Sequence, residues 1–279
     1  MGGITLLCRV GYSVTLHERE GRGVQERIVD EVAAALREAK SVVVLTGAGV
    51  SAESGIPTFR DAMEGLWEKF DPMELATPEA FDKHPRVVAR WYDERRLQCA
   101  SCKPNPGHAA LAEMERRLTG KGGRFTLLTQ NVDGLHQAAG SANVAELHGS
   151  IWRWRCLRCG LTREERGGAF DRYPPRCECG GWKRPAIVWF GEGLPEEALA
   201  ASERAFRSCD LFFSVVTSAV VQPSASFIHV ARSRGAKTVE VNREPTPITR
   251  LVDWSIRGKS GEVLPALVAR TWGGAEGGT

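Results

Sequence analysis

The run Ser41-Val-Val-Val-Leu45, closed by Gly47-Ala-Gly49, sets the tightest limit on how this chain can fold. Its uninterrupted β-branched character suits a strand buried on both faces, the habit of strands in parallel sheets. Helical periodicity over 24–40 leads into it, and short apolar runs come later at 125–128, 144–147, 187–190, 211–216, 238–241 and 254–256. Helix-like stretches at 106–118, 195–207 and 225–234 separate several of them. Strands alternating with helices predict an α/β fold, a Rossmann-like parallel sheet with helices on both faces.

The stretch 152–184 breaks that rhythm, being rich in Arg, Gly, Pro and Cys and poor in core formers. It reads as a small inserted module that needs a staple. Four of the chain's 8 cysteines supply one: Cys156-x-x-Cys159 and Cys177-x-Cys179 have the number and approximate spacing of a structural zinc site. Four thiolates leave no open position, so such a metal holds the fold and takes no part in chemistry. Metal-binding cysteines in place of disulfides fit a reducing cytoplasm. A further pair, Cys99 and Cys102, has no second pair near it and reads as incidental thiols. The expected organisation is a discontinuous nucleotide-binding domain, 20–151 and 185–272, around a zinc module, 152–184, with 1–19 and 273–279 disordered or peripheral.

A chain 42% hydrophobic and 25% charged can bury a full core. No apolar run approaches the roughly 20 residues of a membrane-spanning helix, so no membrane partner is expected. A net charge of +3 is too weak to argue for nucleic acid by itself, since phosphate binding usually shows as a concentrated basic face; charge leaves the partner open, and no direct nucleic-acid binding is inferred.

The glycine loop comes directly after a strand, where glycines let backbone N–H groups approach a pyrophosphate. A bare Gly-x-Gly is more often an ordinary tight turn, so the loop alone decides little. The segment Ile56-Pro57-Thr58-Phe59-Arg60-Asp61 is more specific, for it adds an aromatic ring, a cation and a carboxylate. Asn131 and Asp133 come just after one expected strand and His148 after another, at the sheet edge where open α/β folds bind ligands. A histidine there can act as a general base while the amide and carboxylate orient a ribose or a water. Loop histidines with ordinary hydrogen bonds, His136 and His148 alike, would look the same in sequence.

The string from Gly47 through Ala48, Gly49, Ser51 and Glu53 to Phe59, Arg60 and Asp61 resembles the NAD-binding signature of sirtuins. Thr129-Gln130-Asn131-Val132-Asp133-Gly-Leu-His136, His148-Gly149-Ser150, Val188-Trp189-Phe190-Gly191-Glu192 and Asn242-Arg-Glu244 come in the family's order, and the resemblance covers about 25–270. It implies NAD⁺-dependent removal of acyl groups from protein lysines, yielding nicotinamide and O-acyl-ADP-ribose. His148 would be the base, and Asn131 and Asp133 would hold the nicotinamide-side ribose and carboxamide. Phe59 and Arg60 would shield the cation-like sugar from water. Gly47, Ala48, Gly49, Ser51, Glu53, Gln130, Val132, Thr217, Ser218, Asn242, Glu244 and Ser260 would complete the cofactor contacts. Val188, Trp189, Phe190 and Glu192 would form the strand that pairs with a substrate peptide.

The resemblance extends to the subclass that removes succinyl and malonyl groups. Tyr92 and Arg95 are spaced to share a helix face, where a guanidinium and a phenol suit an acidic acyl group, and Ala76 leaves room for the chain. A solvated helix face is the alternative. Two departures stand out. The second cysteine pair has a one-residue gap, and Val216 replaces the glycine of the family's Gly-Thr-Ser. If that glycine serves a positive φ, Val216 implies strain or a displaced cofactor. ADP-ribosyl transfer, NAD⁺ hydrolysis and NAD⁺ sensing without turnover are the rival functions these residues allow.

Overall fold

A computed structural model describes residues 10–57 and 75–273, with side chains from residue 23 onward. At mid-sheet, β1 (Ser41–Thr46) pairs in parallel with β2 (Arg124–Thr129) on one side and β7 (Leu211–Val215) on the other. Outside β2 lies β3 (Val144–Glu146); outside β7 lie β8 (Lys237–Asn242) and β9 (Trp254–Arg257). The order β3-β2-β1-β7-β8-β9 is parallel throughout. The chain works outward from β1 to β3, then returns to the far side of β1 to build β7 to β9. That reversal opens a crevice beyond the carboxyl ends of β1 and β7, where doubly wound sheets bind ligands.

The strand period of two divides β1 between two cores. Val42 and Val44 meet Leu36 of α1 (Val10–Glu38), Leu111 and Met114 of α5 (Pro106–Thr119), and Leu264 and Leu267 of α9 (Ser260–Trp272). On the other face, Val43 and Leu45 meet Phe206 of α7 (Glu196–Phe206) and Ile228 of α8 (Phe227–Ser233). Burial on both faces is why β1 could be read as an unbroken apolar run.

A third core is independent of this sheet. It joins α3 (Pro78–Lys83) and α4 (Pro85–Ser101) to an antiparallel sheet ordered β5-β4-β6, formed by β4 (Gly149–Cys156), β5 (Thr162–Glu164) and β6 (Lys183–Ile187). Trp152 and Trp154 are buried in it while Arg153 and Arg155 point outward, the alternation of a strand with one wet face. The strand expected over 187–190 needs correction. β6 ends at Ile187, and Val188, Trp189 and Phe190 leave the sheet because the Trp189 N–H is taken by the Glu192 carboxylate and Gly191 turns the chain at φ 86°. No described helix is long and apolar enough to cross a membrane.

Candidate active site

Two loops touch at the switch point. Gly47 N–H donates to Val215 O and Gly49 N–H to Val216 O. A Cβ on Gly47 would lie 2.7 Å from Thr217 Cα, and one on Gly49 would lie 2.8 Å from Val216 Cβ, so neither position accepts a side chain as the backbone stands. Val216 has φ +43°, the left-handed conformation expected of the residue it replaces and a strained one for a β-branched side chain. Ala48 is exposed on the outer side of the turn, before the short helix α2 (Gly49–Ala52).

Below this contact is a buried polar network. Asn131 Nδ2 donates to Ser51 Oγ at 3.0 Å, and Ser51 Oγ donates to Asp133 Oδ2 at 2.7 Å. Burial pushes the Asp133 carboxyl above its ordinary range, opposed by the Leu135 N–H and the Ser51 hydroxyl. His108 Nδ1 accepts the Asn105 N–H, which puts its proton on Nε2, 3.5 Å from Ser51 Oγ. Its ring lies 4.8 Å from that of His136 on the short helix α6 (Leu135–Ala138), and His136 Nε2 is 3.0 Å from Thr46 Oγ1. Burial drives His108 down to about 4 and His136 to about 3, so both are neutral at neutral pH.

His148 Nδ1 lies 3.0 Å from the Gln130 carbonyl. A carbonyl cannot donate, so the proton is on Nδ1 and Nε2 keeps its basic lone pair. Burial lowers the His148 pKa, with the Gln130 carbonyl opposing. Gln130 Nε2 donates to Thr217 Oγ1, and Asn242 Nδ2 donates to Thr217 O. Residues from the ends of β1, β2, β7 and β8 thus meet here. Ser218 and Val132 are half-buried beside them, and Glu244 is exposed, its carbonyl accepting from Arg257. Glu53 and Ser260 contact each other: the carboxylate accepts from Ser260 Oγ at 2.6 Å and from Gly261 N–H. Phe59 and Arg60 lie outside the described residues.

The other flank of His148 is the 188–192 loop. Val188 N–H donates to His148 O, and Phe190 N–H to Ala76 O, which brings Ala76 and the loop together. Tyr92 and Arg95 share one face of α4. Tyr92 is buried, its ring 6.0 Å from that of Trp189, and burial pushes its phenol well above the tyrosine range. The Arg95 guanidinium sits 4.4 Å from the Trp91 ring centroid, and burial lowers its pKa while Tyr92 and Cys99 act to raise it.

In the module, the sulfurs of Cys156, Cys159, Cys177 and Cys179 all lie within 4.8 Å of one another. Backbone N–H groups of Cys159 and Arg158 help hold the Cys156 thiol down at about 6, making it a ready thiolate. The donor set and its closure fit a structural zinc despite the one-residue gap.

A family model described as the Sir2 family matches residues 47–223. The chain belongs to the Sir2 family. An NAD-dependent protein deacylase of Aquifex aeolicus is 51% identical over 221 residues, covering 79% of this chain and 90% of that protein. Among solved structures, a Sir2 homologue in complex with NAD superposes with a TM-score of 0.81 at 44% identity, covering 86% of this chain and 93% of the other. A Sir2 protein bound to a myristoylated histone peptide gives 0.70 at 35% identity, covering 88% and 97%. This sirtuin is an NAD-dependent protein deacylase, with NAD as co-substrate and one structural zinc.

Sequence reasoning missed His108, Asn105 and Thr46 of this sirtuin. The signal for the first two is Asn105-Pro106-Gly-His108, a capping box in which Asn105 accepts from the Gly107 and His108 N–H groups and His108 returns to Asn105. It reads as a helix start, and only folding carries it beneath the glycine loop.

Proposed function

We propose that this sirtuin removes acidic acyl groups, succinyl or malonyl, from protein lysines. One observation carries the acyl preference. A largely buried guanidinium, Arg95, shares a helix face with the buried phenol of Tyr92, alongside Trp189 of the loop that borders His148. A guanidinium can take a carboxylate through two parallel hydrogen bonds, and a phenol on the same helix face can add a third. An acetyl group offers no such anion.

The catalytic assignment rests on tautomer and placement. The acyl oxygen attacks the anomeric carbon of the nicotinamide-side ribose and nicotinamide leaves with the bonding electrons. His148 Nε2 then accepts a proton from a ribose hydroxyl as that oxygen attacks the acyl carbon, and water completes the release of lysine and O-acyl-ADP-ribose. Asn131 and Asp133, held through Ser51, orient the ribose and carboxamide, and Phe59 and Arg60 exclude water. Gly47, Gly49, Gln130, Thr217 and Asn242 line the dinucleotide path, and Val188 to Glu192 present the edge for the peptide backbone.

A mass-spectrometric assay of acetyl-, malonyl- and succinyl-lysine peptides with and without NAD⁺ tests this directly. Faster turnover of the acidic acyl peptides, with O-acyl-ADP-ribose as product, is expected. Free ADP-ribose alone would turn the assignment to NAD⁺ hydrolysis, and a preference for acetyl-lysine would remove Arg95 as selector.

A further inference from the structure

We infer that Arg184 is a positioning residue for the substrate peptide: from the zinc module it fixes the 188–192 loop against which the peptide is read. The inference rests on the deacylase reading of that loop. Arg184 lies in β6, opposite Arg155 and next to the Cys156–Lys183 pair, so its backbone is set by the sheet that carries the first metal ligand. The residue is 4% exposed.

Every nitrogen of the guanidinium is used. Nη1 donates to Glu192 Oε1 at 2.6 Å, and Nη2 donates to Glu192 Oε2 at 2.9 Å and to Ile187 O at 2.8 Å. Nε donates to Pro185 O at 3.3 Å. Its Cζ is 3.3 Å from the Trp189 ring centroid. Glu192 in turn accepts the Trp189 N–H at 2.8 Å. Arg184 therefore grips both ends of the turn from Trp189 to Glu192, which has left the sheet and is otherwise closed by the Glu192 N–H to Trp189 O bond and tied down by Phe190 N–H to Ala76 O.

A buried ion pair is weak evidence for stability, because desolvation offsets its attraction. What this clamp supplies is geometry. Only a planar fork can hold both carboxylate oxygens while lying over an indole, which a lysine cannot reproduce. The indole it covers packs on Phe81 at 5.5 Å and Tyr92 at 6.0 Å, so the same contact sets the wall beside the acyl selector. None of these contacts touches the glycine loop. The cost of disturbing them falls on peptide binding and spares NAD⁺.

The test is Arg184→Lys in the full chain, with zinc content and melting temperature checked and KM and kcat measured for acetyl- and succinyl-lysine peptides and for NAD⁺. The expected result is a peptide KM raised about tenfold on both peptides, an unchanged KM for NAD⁺ and full zinc content. Glu192→Gln opens the clamp from its outer end without touching β6. It should raise the peptide KM similarly, and the double variant should be no worse than the worse single one. An unchanged peptide KM in Arg184→Lys, or effects of the two substitutions that simply add, would overturn the inference. A wild-type chain that turns over neither peptide would overturn the deacylase reading of the loop itself.

Discussion

Val216 and Gly49 are fitted to each other: a Cβ on Gly49 would sit 2.8 Å from the Cβ of Val216, which is itself held at φ +43°. The left-handed conformation costs a β-branched residue about 1–3 kcal/mol. Replacing Val216 by glycine removes that strain but also gives up apolar burial of about 1.5–3 kcal/mol. The two effects oppose, so the melting temperature of Val216→Gly should move little. The crevice gains the volume of an isopropyl group beside the glycine loop, and the KM for NAD⁺ should fall. An unchanged or higher KM would show that Val216 does not crowd the cofactor.

Arg95→Met should separate acyl groups. Charge-assisted hydrogen bonds lost to a bound carboxylate correspond to about 10- to 100-fold in kcat/KM for a succinyl-lysine peptide. Deacetylation, which never used the guanidinium, should change by less than about threefold. Equal losses on both peptides would make Arg95 a structural residue of the Trp91 stack.

Asp93 and Arg96, three residues apart on α4, form a buried latch that ties the helix to 165–173. Arg96 donates to Asp93 Oδ1 through Nε and Nη2, and reaches the carbonyls of Glu165, Gly167 and Gly168. Asp93 also accepts from Phe170 N–H and Tyr173 OH. Both side chains are at most 1% exposed. Asp93→Ala strands a buried cation and should cost about 3–5 kcal/mol in urea unfolding. A loss below about 1 kcal/mol would mean that water reaches Arg96.

Much of this was legible because it is local. The six-stranded sheet follows from apolar runs whose length and flanking glycines are written in the chain, and Gly47, Gly49, Asn131, Asp133 and His148 fall at strand ends by counting alone. The third core was not legible. Trp152, Trp154 and Trp189 sit among Arg, Gly and Pro, and their burial depends on α3 and α4, which precede them by more than fifty residues. Arg184 and His108 were missed for a related reason. One looks like a surface arginine until the loop just after it turns back onto its guanidinium, and the other like a helix cap until the distant glycine loop folds over it.

With His148 as the proposed base, the pH profile should follow its titration. Burial lowers its pKa, so the base stays neutral to more acid pH than a free imidazole, whose pKa is about 6.5. The acid limb of kcat/KM for the acylated peptide should therefore have its midpoint below about 6.5, and it should vanish in the residual activity of His148→Asn. A midpoint above about 7 would require a stabilised imidazolium and contradict the burial.

The pair beneath the glycine loop makes stability, as distinct from activity, sensitive to acid. His108 at about 4 and His136 at about 3 are both depressed by burial, His136 further by His108 across 4.8 Å, while Glu53 offsets only part of the shift at His108. The folded chain then refuses protons that the unfolded chain binds. Stability is full above about pH 6.5 and falls as pH drops toward 4, by about 1.4 kcal/mol per pH unit for each histidine. Urea midpoints measured between about pH 7 and about pH 5 should show that slope, and His136→Asn should lose one histidine's share of it. Parallel curves for the two proteins would mean that His136 takes up its proton in the folded state as readily as in the unfolded chain.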